Sequence, residues 1–176
     1  MIEHRLIERM IKLMRTETSK INNGEDPKVQ FLHAVTDFIK TYADQCHHGK
    51  EENILFKSLV KKPLSEKHKQ ILNELAEEHI FARKKTRGLE EAIKKYLQGE
   101  SSAIPKISQF MHELTEFYPQ HIEKEDKQFF LPCMDYYSKS ELDTLLNDFM
   151  AFDKDLVHEK YKEIVYSWEA DQGDTI

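Results

Sequence analysis

Twice in this chain a histidine stands four residues before a glutamate that is followed by a second acid. The segments are His47-His48-Gly49-Lys50-Glu51-Glu52 and His121-Ile122-Glu123-Lys124-Glu125-Asp126. Bulky apolar residues follow at matching offsets, Leu55 and Phe56 in the first, Phe129 and Phe130 in the second. On a helix, positions i and i+4 share a face, so each segment turns an imidazole and a carboxylate toward one point. Burying either group without a partner is costly. Two such faces can meet inside a protein when positive charge sits between them.

The rest of the chain supplies helices to carry these faces. Only five glycines and five prolines interrupt a sequence rich in Glu, Lys, Leu, Ile and Ala. Apolar stripes predict helix one over about Ile2 to Ile21 and helix two over about Lys28 to Val60, separated by Asn22-Asn23-Gly24-Glu25-Asp26-Pro27. Helix three follows over about Glu66 to Leu97, with Ser65 as N-cap, and helix four over about Ser102 to Leu131. Gly49 is expected to loosen helix two and Pro119 to kink helix four, which Pro132 closes. A fifth helix is expected from about Ser138 to Trp168, carrying Leu142, Leu145, Leu146, Phe149, Phe152 and Leu156 on one side. Four long helices with short connections predict an all-α, up-down-up-down four-helix bundle with an additional C-terminal helix. The expected organisation is a bundle over 1–135, a packed helix over 136–170 and a tail over 171–176.

His4, His47, His79 and His121 each fall on an inner stripe, one per predicted helix. A lone histidine there reads as a core residue with a hydrogen-bond partner. Four together, with Glu51 and Glu125 on the same faces, call for a cation. His4 and His47 are 43 residues apart, and His79 and His121 are 42 apart. Near-equal separations suit two hairpins that bring their ligands to one level. Four imidazoles and two carboxylates exceed the needs of one tetrahedral zinc and suit two ions sharing carboxylates. Nitrogen with oxygen favours iron, manganese or zinc over calcium and magnesium. His48, beside His47, reads equally as a fifth nitrogen ligand or as a group supporting one. His33, His68, His112 and His158 lie off the stripes and are assigned to the surface.

Glu3-His4-Arg5, Cys46-His47-His48-Gly49-Lys50-Glu51-Glu52, Glu78-His79 and the His121 segment ending before Phe130 together resemble the hemerythrin-like family of cation-binding bundles, often called the HHE domain. The resemblance covers roughly residues 1 to 135. It implies a non-haem di-iron centre with His4, His47, His79, His121, Glu51 and Glu125 as ligands. Two departures stand out. Oxygen-carrying members have two histidines four residues apart on the third helix, whereas Leu75 and Arg83 flank His79 at that distance. They also place the second bridging acid five residues after its histidine, which here is Asp126, so Glu125 and Asp126 both remain candidates. Ferritin-like di-iron oxidases carry Glu-x-x-His on two helices, a pattern that does not occur in this chain.

Around the centre, Tyr42 and Tyr118 read as core packing or as donors to a bound ligand. Cys46 reads as a small buried residue or a redox thiol. Arg83 is expected to pair with Glu51, Glu125 or an anion. Three functions compete: a di-iron protein that binds or reacts with O2, peroxide or NO; iron storage, delivery or repair of iron centres; and a helical module with a structural metal. The net charge of −6 and the lack of a dense basic patch argue against nucleic acid. Two cysteines, no basic-then-apolar leader and no long uncharged apolar run lead to the expectation of a cytoplasmic protein without a membrane partner.

Overall fold

The computed structural model describes residues 2–153 and 157–173, and among these no strand occurs. Helix α1 is Ile2–Asn22. Helix α2 spans residues 29–59 and changes its hydrogen bonding along its length. Val29–Asp37 is α-helical, Phe38–His48 and Glu51–Phe56 are π-helical, and Lys57–Leu59 ends it. Helix α3 is Glu66–Leu97. Helix α4 spans residues 104–134 as Ile104–Lys124, a π-helical Glu125–Phe130 and Leu131–Met134. Helices α5, Lys139–Phe152, and α6, Val157–Gly173, complete the chain. Among the described residues, no helix is long and apolar enough to cross a membrane.

The ends obey local chemistry. Gly24 and Gly99 adopt φ of +92° and +90°, a region that favours glycine, just past α1 and α3. Each sits in the reversed turn that lets Glu25 N–H donate to Lys20 O and Glu100 N–H to Lys95 O, at 3.1 Å in both cases. Ser65 Oγ caps α3 by accepting from His68 N–H, as its sequence position predicts. Ser138 and Glu141 form a reciprocal capping box at α5.

Helices α1 to α4 form the expected ring, with α1 between α2 and α4, and α3 also between them. Their apolar contacts fall into two clusters. One includes Met10, Met14, Phe31, Phe38, Leu89 and Met111; the other includes Leu55, Leu59, Leu75, Phe129 and Leu145. Neither cluster takes a residue of α2 between Ala43 and Ile54, of α3 between Leu75 and Leu89, or of α4 between Ile122 and Phe129. In that gap the buried side chains include His47, His48, Glu51, His79 and Glu125, with His121 at its edge and His4 joining from α1. The bundle is thus two apolar cores separated by a polar layer.

Helix α1 begins at this layer, so it cannot wall the second core. Helix α5 packs against Glu51–Phe56 and covers that side, burying Leu145. Helix α6 serves the first core instead. Tyr161 and Val165 are fully buried, and Trp168 meets Phe31 edge-on at 5.1 Å between ring centres.

Three local expectations, on the fifth helix, the tail and Pro132, are corrected. The single helix predicted from Ser138 to Trp168 is two helices, because Asp153 leaves helical geometry at ψ 126°. Its carboxylate is held by Lys50 Nζ at 2.7 Å and lies 3.1 Å from His158 Nε2. Leu156, placed on that helix's apolar side, lies outside the described residues. The expected tail starts within helix, since α6 continues to Gly173, anchored by the pairs Arg9–Glu169 and Lys28–Asp171. Helix α2 runs through Gly49 at φ −59°, ψ −41°. The glycine's role there is space, because a Cβ would lie 3.1 Å from the Phe152 ring of α5. Pro119, where the kink was expected, sits inside α4. It has no N–H for the Thr115 carbonyl, and Arg15 Nη2 donates to that oxygen at 2.9 Å instead. Pro132 does not end α4, which continues to Met134.

Candidate metal centre

The polar layer is built from two sets of side chains. His4, His47, Glu51 and Glu125 bring one ligand atom each within 4.8 Å of one another, and so do His48, His79 and His121. The two carboxylates of the first set also reach the second. Glu51 Oε1 lies 3.4 Å from His47 Nε2, and its Oε2 lies 3.3 Å from His79 Nε2. Glu125 Oε2 lies 3.2 Å from His4 Nε2, while its Oε1 lies 3.2 Å from His121 Nε2 and 3.7 Å from His79 Nε2. Each carboxylate therefore turns one oxygen toward each set of nitrogens.

Sequence neighbours His47 and His48 serve different sets. On an α-helix they would point about 100° apart. The π-helical stretch around them has a wider turn, which narrows that angle and lets both rings face inward. His48 stacks on His79 with ring centres 3.9 Å apart, so α2 brings a second imidazole beside His79, whose own helix has Leu75 and Arg83 at the four-residue spacing. π-Helical turns inside α-helices are frequent at functional sites. Here they coincide with His47, His48, Glu51 and Glu125.

The other ring nitrogens close a circuit around the bundle. Glu3 of α1 takes His47 Nδ1 of α2 at 2.9 Å. Glu52 of α2 takes His79 Nδ1 of α3 at 2.7 Å. Glu78 of α3 takes His121 Nδ1 of α4 at 2.7 Å. Asp126 of α4 takes His4 Nδ1 of α1 at 2.9 Å. Asp44 Oδ1 lies 3.4 Å from His48 Nδ1, a looser contact. These acids fix each imidazole so that Nε2 faces the interior, the arrangement in which metal-binding histidines are oriented. Each of the first four acids is a sequence neighbour of an inner residue on its own helix but supports the next helix's histidine. Sequence periodicity does not disclose that crossing. Asp126 thus faces the outer side of His4 while Glu125 faces inward. Arg83 pairs with Asp44 and Glu52, at 2.7 and 2.8 Å, and not with Glu51 or Glu125.

The interior atoms lack partners of their own. Both oxygens of Glu51 and of Glu125, and Nε2 of His48, His79 and His121, are buried without a hydrogen bond among the described residues. Such orphans are expensive unless an ion occupies the space. Two donors held at about 2.1 Å by one ion, at right to tetrahedral angles, lie about 3.0–3.4 Å apart. The 2.9 Å between His4 Nε2 and His47 Nε2 and the 3.2–3.4 Å nitrogen–oxygen separations fit that spacing. The donor set therefore fits bound metal.

Electrostatics point the same way. Burial works to depress the His79 imidazole, but Glu125, Glu51 and Glu52 outweigh it and raise its pKa to about 11. His47 is also raised, with Glu51, Glu3 and Glu125 overcoming burial. Burial opposes ionisation of Glu125, yet His121, His4, His79 and His47 hold its pKa well below the usual range. His48 is driven well below the ordinary imidazole value by burial, helped by its three histidine neighbours. The carboxylates demand positive charge among them, and a metal meets that demand without crowding protonated rings together.

Residues 1–131 match the family described as the hemerythrin HHE cation binding domain. The chain belongs to that family. No curated protein and no solved structure matches it. Hemerythrin-like domains are metal-binding helical bundles, and the His/Glu layer is where this bundle can hold metal.

The remaining candidates around this hemerythrin-like centre divide. Phe130 stacks against His4, Phe56 against His79 and Phe117 against His121, with ring centres 5.9, 5.8 and 5.0 Å apart, and so they dry the layer. Tyr118 is fully buried near His48, and its hydroxyl has no partner among the described residues. The Tyr42 hydroxyl instead meets His158 Nδ1 at 3.3 Å. His158, assigned to the surface from sequence, is half-buried, while His33 and His112 are exposed. Burial pushes the Cys46 thiol up to about 12, which keeps it protonated. Cys46, Glu3, Asp153 and His158 also cluster, but there Lys50 Nζ already supplies the cation to Glu3 and Asp153.

Proposed function

We propose that this protein holds two iron ions bridged by Glu51 and Glu125 and that its ligand is O2, peroxide or NO. The observation that carries the proposal is the convergence of the Nε2 atoms of His4, His47, His79 and His121, with His48 grouped beside the last two, on two carboxylates whose four oxygens are buried without partners among the described residues. His4 and His47 would hold one ion, and His48, His79 and His121 the other. A di-iron pair, when bound, supplies reversible ferrous–ferric chemistry to a small oxygen or nitrogen ligand.

The chain's own residues then decide where that ligand goes. The set of His4 and His47 offers one nitrogen fewer than the set of His48, His79 and His121. The position with fewer protein donors keeps a place for an outside ligand. Glu3 holds the His47 ring by its Nδ1 hydrogen, and Lys50 holds Glu3 in turn. The phenylalanines against His4, His79 and His121 exclude water. Manganese or zinc suits the same donors by type. The two free cysteines, both buried, accord with a reducing compartment such as the cytoplasm.

The test is metal content and a visible spectrum of protein purified without air and then exposed to it. Two irons per chain, with bands that grow on oxidation, are expected. His121→Ala should lose at least one iron, and Glu51→Ala should lose the spectrum of a coupled pair while the fold persists. One colourless zinc, or full metal content in the His121 variant, would overturn the proposal.

A further inference from the structure

A cavity of about 420 Å³ opens beside the His47 side of the layer, between α1, α2, α5 and the start of α6. Ile2, Leu55, Leu146, Phe149 and Met150 are its apolar lining, and Glu3, Lys50, Asp153 and His158 its polar end, next to His47 and Glu51. A diatomic molecule needs no such space. An apolar cavity of about 150 Å³ accommodates benzene, so this one has room for roughly ten to fifteen heavy atoms. Leu146 and Met150 stand 58% and 66% exposed at the mouth, apolar surface that an occupant would cover. Leu146, Phe149, Met150, Asp153 and His158 all lie beyond residue 131, where the family match ends. The metal layer belongs to the shared domain, and much of the cavity wall is this chain's addition.

We propose that this cavity binds an uncharged, mainly apolar small molecule with one hydrogen-bonding end directed at the position held by His4 and His47. Its placement beside a metal rests on the proposed function above; the cavity itself does not. The polar end explains why the molecule is not an anion. The Lys50 ammonium is matched by two carboxylates, Glu3 and Asp153, so it has no excess positive charge for an anion. It has three hydrogens, and the third can donate to a hydroxyl or carbonyl. The apolar walls then hold a chain or a ring.

The probe is a series of straight-chain alcohols from butanol to dodecanol, titrated calorimetrically into manganese-loaded protein whose metal content is measured on the same sample. One molecule per chain is expected. Affinity should rise about fourfold per methylene and level off when the cavity is filled. Leu146→Glu and Met150→Glu, both at exposed positions, should weaken octanol at least tenfold with metal content unchanged. Proton relaxation of bound octanol should be fastest at the hydroxyl end, nearest the paramagnetic ion. Absent or non-saturable binding, or binding indifferent to both variants, would overturn the site. So would a dimer that these variants dissolve, because a second copy would then be the occupant. Saturable, variant-sensitive binding to a chain that carries no metal would keep the cavity and discard the di-metal reading. A relaxation gradient of the opposite sense in the loaded protein would overturn the orientation.

Discussion

Glu52 shows what one residue contributes to the layer without facing its interior. Its carboxylate accepts from His79 Nδ1 at 2.7 Å and pairs with Arg83, so it fixes a ring on the neighbouring helix. Glu52→Ala is expected to weaken metal binding roughly 10–100-fold with the helices intact, measured by chelator competition and circular dichroism. Equal affinity in the variant would show that His79 is oriented by packing alone. Cys133 gives a prediction independent of metal. It is fully buried, and burial raises its pKa from 9.0 to about 11. The folded chain therefore retains a proton that the unfolded chain releases. This contribution is fully present below pH 9 and is lost as pH rises toward 11, about 3 kcal/mol in all at about 1.4 kcal/mol per pKa unit. Cys133→Ala should flatten that part of the stability–pH curve. The folded wild-type thiol should resist alkylation at pH 8.

At the scale of the element, the departures from ideal α-helix are where function gathers. A plain helix would send His47 and His48 to different faces, and the π-helical turn brings both inward. Pro119 is compensated from another helix, since Arg15 occupies the Thr115 carbonyl that the proline leaves open. Arg15→Ala should destabilise the bundle by about 1 kcal/mol. In a Pro119→Ala background, where the helix can supply its own N–H, the same change should cost less. Denaturant unfolding of the four-member cycle measures the coupling, and strict additivity would refute it.

For the whole molecule, the metal layer separates two apolar cores, so each core can pack fully only when the charges between them are matched. Chelation should lower the melting temperature. Stability should rise with free metal by about 4 kcal/mol at a thousandfold excess over Kd, read from thermal scans at graded metal concentration. A melting temperature independent of metal would mean that the layer is satisfied without it. Helix α6 belongs to the same cooperative unit, because Tyr161 is fully buried against Phe38 and Tyr42, and its hydroxyl donates to Asp37 at 2.9 Å. Tyr161→Ala should cost about 3–5 kcal/mol and shift the whole unfolding transition. A separate early transition would show α6 to be an independent unit.

The sequence alone determined the four bundle helices, their order, the turns at Gly24, Ser65 and Gly99, and the inward placement of His4, His47, His79, His121, Glu51 and Glu125. These follow from periodicity and backbone chemistry, which are local. It left His48 between two roles, Glu125 and Asp126 between one, and the circuit of Glu3, Glu52, Glu78 and Asp126 unseen. Each of those depends on which neighbouring helix a side chain meets, and spacing within a helix carries no such information. The break at Asp153 was hidden for the same reason. Its carboxylate is drawn to Lys50, far away in sequence, and only the packed structure places the two together.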